Sequence, residues 1–260
     1  MPISDPVRDG GVQSVDRAVS ILQVLARLGT AGVTEIATEL AVHKSTVFRL
    51  LDTLESRGLV EQRVDRGRYQ LGFGIVQLAA GAARKHDLSV LSRPACLRLA
   101  EAVRETVNLA IHDGQAVISI DQVIGAATVT SVNWVGQRTP FHATSAGKVF
   151  LAFMPAPRRD AILGGALEAF TPHTLIDPRK LAEELARVRH QGYAVTAEEH
   201  EIGLAAVAAP LRAMEGDVVA AVTASGPTFR INAETLPGIV EQVVAAAAEI
   251  SQRNGYPKPG

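Results

Sequence analysis

Only three residues, Ala41-Val42-His43, separate two amphipathic helical patterns near the start of this 260-residue chain, and that tight joint limits how its first third can fold. Beyond the joint, Val47, Leu50, Leu51 and Leu54 fall at i, i+3, i+4 and i+7 and draw one apolar stripe. At about 100° per residue the opposite side carries Ser45, Arg49 and Asp52, with Phe48 on its edge and Lys44 and Thr46 beside it at the N-terminal end. Before the joint, Ile36, Ala37 and Leu40 turn inward on a short helix that Thr34 should cap. A longer helix over 14–28 repeats Val15, Ala18, Val19, Leu22, Leu25 and Ala26 at helical spacing and stops at Gly29. After the third helix, which ends at Gly58, "LVEQRV" and "RYQLG" flank Asp65-Arg66-Gly67, a strand–turn–strand pattern.

Helix, helix, tight turn, helix and hairpin is the order of a winged helix-turn-helix, whose second helix of the pair enters the major groove of DNA. Lys44 can neutralise a phosphate, and Ser45 and Thr46 can hydrogen-bond phosphate or base edges. Arg49, one turn on, is long enough for a bidentate contact to guanine, and Phe48 borders the same face. Arg66 stands at the hairpin tip, with Arg63 and Arg68 beside it, as a wing for an adjacent groove or the backbone. The formal net charge is only −1, so any affinity for DNA must come from such local placement. A solvated, purely structural three-helix unit is the alternative. The basic residues at both the helix start and the wing tip weigh against it.

The remaining chain reads as a mixed α/β unit. Residues 1–13 hold Pro2, Pro6, Gly10 and Gly11 and suggest a flexible arm. An alanine-rich helix over 73–86 suggests a connector, and its small residues allow close helix–helix approach. From Leu88 onward come a helix and then two strands around Asp113-Gly114, a hairpin signal. An extended stretch over 128–141 follows, then the helix "SAGKVFLAFM" and short helices from Arg158 and over 178–191. Three further strands precede the closing helix "LPGIVEQVVAAAAEISQR". Boundaries are expected at 1–13, 14–72, 73–87 and 88–254. One cysteine, Cys96, excludes an intrachain disulfide and a cysteine-rich zinc site. With no apolar run of membrane-spanning length and no signal core, a cytoplasmic protein with no membrane partner is expected.

The stretches "QSVDRAVSILQVLA", "VTEIATEL", "HKSTVFRLLDTLESRGLVEQ" and "GRYQLGFGIVQLA" resemble the DNA-binding half of IclR-type transcriptional regulators. "PFHATSAGKVFLA", "QGYAVTAEEHEIGLAAVAAPL" and "VVAAVTASGP" resemble the effector-binding half of the same family, in the same order. The resemblance implies an α+β chain: an N-terminal winged helix-turn-helix, a linker helix, and a C-terminal effector domain with a curved antiparallel sheet flanked by helices. It also implies homodimers or homotetramers on a double-stranded DNA operator, responding to a small organic acid, with no enzymatic activity and no cofactor. Ala41 departs from the family at a turn position usually held by glycine. If that position is left-handed, alanine should cost roughly 1 kcal/mol. His43 stands where proline is common.

In the second half, "HATSAGK" puts small residues at a helix start, where main-chain N–H groups and the Ser145 hydroxyl can cradle a carboxylate. Capping by Thr144 or Ser145, with Gly147 permitting close packing, is the plainer alternative. By resemblance the pocket falls on Ser145, Ala146, Thr196, Leu204, Ala206, Thr223 and Ser225. Thr223 and Ser225 share one face of a strand across Ala224. Thr196 and Ala206 replace an acid and a thiol common in members that sense very small keto acids, so a larger, less polar acid is expected. Trp134 is a candidate apolar wall, or else a core anchor. Ser145-Ala-Gly-Lys148 matches the S-x-x-K of serine acyl enzymes, but their S-D-N and K-T-G are missing. No Walker A is formed, and the H-E-x-x-H begun by His200-Glu201 fails at Leu204. Glu198, Glu199 and His200 offer a weak metal-binding alternative, but with Ala206 at the thiol position no metal site is expected. The functional expectation is a repressor of a metabolic operon released by its effector, with an activator of the same fold as the alternative.

Overall fold

The computed structural model describes residues 12–63, 67–83, 88–126 and 132–257. The expectations for the N-terminal arm, for Arg66, for the connector beyond residue 83 and for 128–131 fall outside those residues. The chain divides into two compact units, Met1–His86 and Asp87–Gly260.

In the first unit, α1 (Gln13–Leu28) ends at Gly29, whose φ of 72° takes the chain out of the helix. Its buried residues are Ile21, Val24 and Leu25, while Val15 and Val19 are exposed. The apolar stripe is wider than the face that α3 and the small sheet cover. After the two-residue strand β1 (Ala31–Gly32) comes α2 (Val33–Glu39). Its N-terminus is not capped by Thr34: the Glu35 carboxylate reaches back to the Gly32 N–H at 2.8 Å. The joint to α3 (Lys44–Ser56) is tight. Ala41 has a φ of 51°, and the Val42 N–H returns to the Ala37 carbonyl at 3.0 Å, so the left-handed residue at the turn is an alanine.

Val47, Leu51 and Leu54 of α3 are buried against α1 and α2, as their spacing predicts. Strands β2 (Val60–Gln62) and β3 (Arg68–Leu71) pair antiparallel, with Val60 opposite Leu71 and Gln62 opposite Tyr69. β1 adds to the other edge of β3, a pairing with no local sequence signal. Gly72 permits the close approach that ends the wing, since a Cβ there would lie 2.4 Å from the Gly58 carbonyl oxygen. The unit closes with α4 (Phe73–Ala83), on which Phe73, Val76 and Leu78 are exposed.

The second unit is built on a curved antiparallel sheet in the order β6-β5-β4-β9-β8-β7. Its strands are β4 (Thr106–His112), β5 (Val117–Val123), β6 (Arg138–Thr139), β7 (Ala194–Ala197), β8 (Leu204–Arg212) and β9 (Val218–Pro227). One face carries Val107, Leu109, Val207 and Val222 and packs on α5 (Leu88–Val103) and α9 (Leu236–Arg253). The other carries Ala110, Ala194, Ala208 and Ala221 and packs on α6 (Ser145–Phe153) and α8 (Pro178–Gln191), while the short α7 (Ala156–Leu163) follows α6. Alanines on that face let α6 sit close, and Phe150, Leu151 and Leu181 fill the space between. Each such fully buried side chain contributes roughly 1.5–3 kcal/mol. Glu105, just before β4, is held by two bonds from Arg230, at 2.5 and 2.9 Å, which tie the start of β4 to the loop after β9.

Candidate functional site

Two surfaces answer to the sequence expectations, one in each unit. In the first, His43 is the extended residue before α3, so Lys44, Ser45 and Thr46 form the opening turn. Helices leave their first N–H groups without intrahelical partners, which favours phosphate at this end. Lys44, Ser45 and Arg49 are exposed, Thr46 is half-buried, and Phe48 is 58% exposed. Among the described residues none ties down the Lys44, Ser45 or Arg49 side chain. An exposed phenylalanine beside an arginine suits a groove floor, where a ring can meet a thymine methyl and a guanidinium can meet guanine.

Arg68 differs from expectation. Its guanidinium bonds the Thr30 carbonyl at 2.8 Å and the Thr30 hydroxyl at 3.2 Å, and pairs with Glu35 at 3.0 Å. It therefore fastens β3 to the residues before α2. The sequence placed it on the wing correctly but could not show which way it points, because its partners lie more than thirty residues away.

In the second unit the sheet register gathers the other candidates. Thr196 lies opposite Ala206, Ala206 opposite Ser225, and Ser225 opposite Thr106, which makes one row across β7, β8, β9 and β4. The next row joins Ala208, Thr223, Asn108 and Gln122. Alternation puts both rows, with Leu204, on the face that looks toward α6. That face is not evenly covered. Its alanine half packs on α6 and α8, whereas Leu204, Ala206 and Ser225 remain partly open although they sit within the sheet. Thr223 and Ser225 donate to the Asn108 and Thr106 carbonyls, both at 3.4 Å.

At the start of α6, Thr144 is the cap. Its hydroxyl oxygen accepts from the Gly147 N–H at 3.2 Å, and its own proton goes to the Pro140 carbonyl at 2.8 Å. Gly147 is needed for packing, since a Cβ would lie 2.1 Å from the Phe141 carbonyl oxygen. The capping alternative is thus present in the structure, but it occupies the third N–H of the turn. Those of Ser145 and Ala146, both buried, precede it. Lys148 is 2% exposed, and its ammonium pairs with Glu199.

Trp134 flanks this region. Its main-chain N–H donates to Gln122 Oε1 at 2.9 Å, and its ring meets His200 edge-on at 5.9 Å. Phe170 lies on the other contact of His200, at 5.3 Å between centroids. Burial, chiefly, holds His200 below the usual imidazole range, with His142 adding to the effect against Glu201, so the ring is neutral near pH 7. The turn bearing Glu199 and His200 is pinned by the Thr171 and Thr174 hydroxyls, which donate to the Glu198 and Glu199 carbonyls, each at 2.6 Å.

Asn108, Gln122 and Phe170 are not among the residues that the sequence marks as candidates. Thr106-x-Asn108 shows the same alternate polar spacing as Thr223-x-Ser225, and that was the available signal for Asn108. Two other clefts lie away from these rows. One of about 220 Å³ is lined by Arg159, Leu163, Leu185 and Arg189, and one of about 180 Å³ by Arg212, Val244, Ser251 and Tyr256. Among the described residues no group of three His, Cys, Asp or Glu side chains is placed to hold a metal, and no helix is long and apolar enough to cross a membrane.

Comparison with known proteins matches residues 80–252 to the bacterial transcriptional regulator IclR C-terminal family and residues 14–64 to the IclR helix-turn-helix domain. The chain is 35% identical over 243 residues to the HTH-type transcriptional regulator BhcR of Paracoccus denitrificans, covering 93% of this chain and 87% of that one. It is 34% identical over 254 residues to the HTH-type transcriptional repressor AllR of Escherichia coli, covering 97% and 94%. Among solved structures, an IclR homologue from Microbacterium hydrocarbonoxydans complexed with 4-hydroxybenzoate superposes with a TM-score of 0.84 at 27% identity, covering 93% of this chain and 99% of that one.

Proposed function

The chain belongs to the IclR family of bacterial transcriptional regulators, with the family's helix-turn-helix DNA-binding domain, and from that premise we propose that it represses a metabolic operon and is released when a small organic acid enters its second unit. The observation that carries this reading is the sheet row in which Ala206 and Ser225 stay partly open beside the buried hydroxyls of Thr196 and Thr223, on the side that looks toward α6, whose N-terminus holds Ser145 and Ala146. A carboxylate at the Ser145 and Ala146 N–H groups meets the positive end of the helix. The remainder of the acid lies over Leu204 and Ala206, with Trp134 at the edge. Thr196 and Ala206 leave room for an acid larger than a two-carbon keto acid. The 4-hydroxybenzoate complex of a relative supports an acid of that size.

On DNA, Lys44, Ser45 and Thr46 hold phosphate, Arg49 and Phe48 face the bases, and Arg66 contacts an adjacent groove or the backbone. Arg68 supports the wing from behind. One recognition helix covers only a few base pairs, so the protein acts as a homodimer or a pair of dimers on a near-palindromic operator. The exposed Phe73, Val76 and Leu78 make α4 the candidate seam. That a relative is a repressor supports the sign of regulation. A gel shift against the promoter region beside the protein's own gene, run at several salt concentrations, tests the proposal. A salt-sensitive specific complex that dissolves in the presence of an organic acid is expected. A complex tightened by the acid makes the protein an activator or co-repressed regulator, and the absence of a specific complex removes the operator.

A further inference from the structure

The polar rows on the α6-facing side of the sheet contain an acceptor with no donor. Asn108 is 6% exposed. Its carboxamide nitrogen lies 3.5 Å from Ser225 Oγ, and its Oδ1 is buried without a hydrogen-bond partner among the described residues. A buried acceptor left unmade costs free energy, and native interiors rarely tolerate it without a water or ligand.

Neither hydroxyl on the neighbouring strand supplies the missing proton. The Thr223 hydroxyl donates to the Asn108 main-chain oxygen, and the Ser225 hydroxyl donates to the Thr106 main-chain oxygen. With the Ser225 proton engaged, the atom of Asn108 that faces Ser225 is the donating nitrogen, which fixes the carbonyl oxygen on the other side. Gln122, next in the row, sends its amide nitrogen to the Val132 carbonyl and accepts from the Trp134 N–H on its oxygen. The first turn of α6 offers donors to a carboxylate, while the sheet beneath offers an acceptor. A ligand that satisfies both ends must itself be an acid with a donor.

We infer that Asn108 selects the effector: resting on the pocket proposed above, Asn108 Oδ1 accepts a hydrogen bond from a hydroxyl of the bound acid, so the effector class is hydroxycarboxylic acids rather than plain or keto acids. Sequence spacing alone gave no reason to prefer a donor. The preference follows from which protons on the neighbouring strands are already engaged.

Isothermal titration of the full-length protein with matched triples tests this: lactate, pyruvate and propionate; 3-hydroxybutyrate, acetoacetate and butyrate; mandelate, phenylglyoxylate and phenylacetate. In the triple that binds best, the hydroxy acid should bind about tenfold or more tighter than its keto and deoxy partners. Its O-methyl ether, which keeps the oxygen and loses the donor, should bind as weakly as the deoxy acid. This second comparison uses wild-type protein and is independent of any variant's folding. Asn108→Leu should erase the preference, so that hydroxy, keto and deoxy partners bind this variant within about twofold of one another. If a keto or deoxy acid, or the ether, binds as tightly as the hydroxy acid while Ser145→Asp abolishes binding, the role of Asn108 is refuted and the pocket stands. If hydroxy-acid binding survives Ser145→Asp unchanged, the pocket itself is misplaced. Failure of every triple to bind refutes both.

Discussion

Lys148 gives its ammonium to the carboxylate of Glu199, and the two side chains are only 2% and 12% exposed. A lysine paired in this way is a structural group, not the general base that the S-x-x-K spacing raised as an alternative. Its removal should be costly, because it leaves a buried carboxylate whose second oxygen has no partner among the described residues. Lys148→Met should lose about 3–5 kcal/mol in denaturant unfolding, and Lys148→Met with Glu199→Leu should recover most of that loss. A single variant as stable as wild type would show that the pair contributes nothing.

Ala41 holds a left-handed conformation at φ 51° in the turn between α2 and α3. An L-residue there carries a penalty of roughly 1–2 kcal/mol, which glycine avoids while losing more chain entropy on folding. Ala41→Gly should therefore gain about 0.5–1 kcal/mol. Equal or lower stability would mean that the turn accepts alanine without strain.

Burial, and then the Arg158 guanidinium, hold His112 below the usual imidazole range, and Asp113 opposes them only in part. Its ring packs edge-on against Phe150 at 4.8 Å. In the unfolded chain it titrates at about 6.5, so below that pH the unfolded chain takes up a proton that the folded chain resists. The stability held above about pH 6.5 is then lost as pH falls toward the lowered folded value. His112→Phe should show a shallower loss of melting temperature between pH 8 and pH 5.5. Parallel curves for the two proteins would assign the pH dependence elsewhere, His200 being the next candidate.

Arg49 and Arg68 separate recognition from support. Arg49→Ala should weaken operator binding by about 1–3 kcal/mol and relax base preference, with no change in melting temperature. Arg68→Ala should lower the melting temperature, because it frees Thr30 and Glu35. Paired gel shifts and melts check both. Reversed outcomes would exchange the two roles.

The parts legible from sequence were those whose signal is local. The stripe of Val47, Leu51 and Leu54, the Asp113-Gly114 hairpin and α9 follow from period and turn chemistry alone. Thr34 is not the cap because α2 begins one residue before it, at Val33, so that Gly32 takes the cap position and Glu35 serves its N–H. β1, the inward turn of Arg68 and the pairing of Lys148 with Glu199 depend on partners 33 to 51 positions away. The pocket residues came from family resemblance. That Thr196, Ala206 and Ser225 share one row with Thr106 follows from strand register, which no single stretch encodes.

The most direct test places a negative charge where the acid's carboxylate should sit. Ser145→Asp, at the start of α6, should bind the operator as wild type does, because the first unit is untouched. It should also fail to release the operator at effector concentrations that empty it in wild type, since like charges repel strongly in a low-dielectric pocket. The measurement is a gel-shift titration of both proteins with one acid found by screening. Retention of the complex by Ser145→Asp alone is the predicted result. Release of both proteins at the same acid concentration would contradict it.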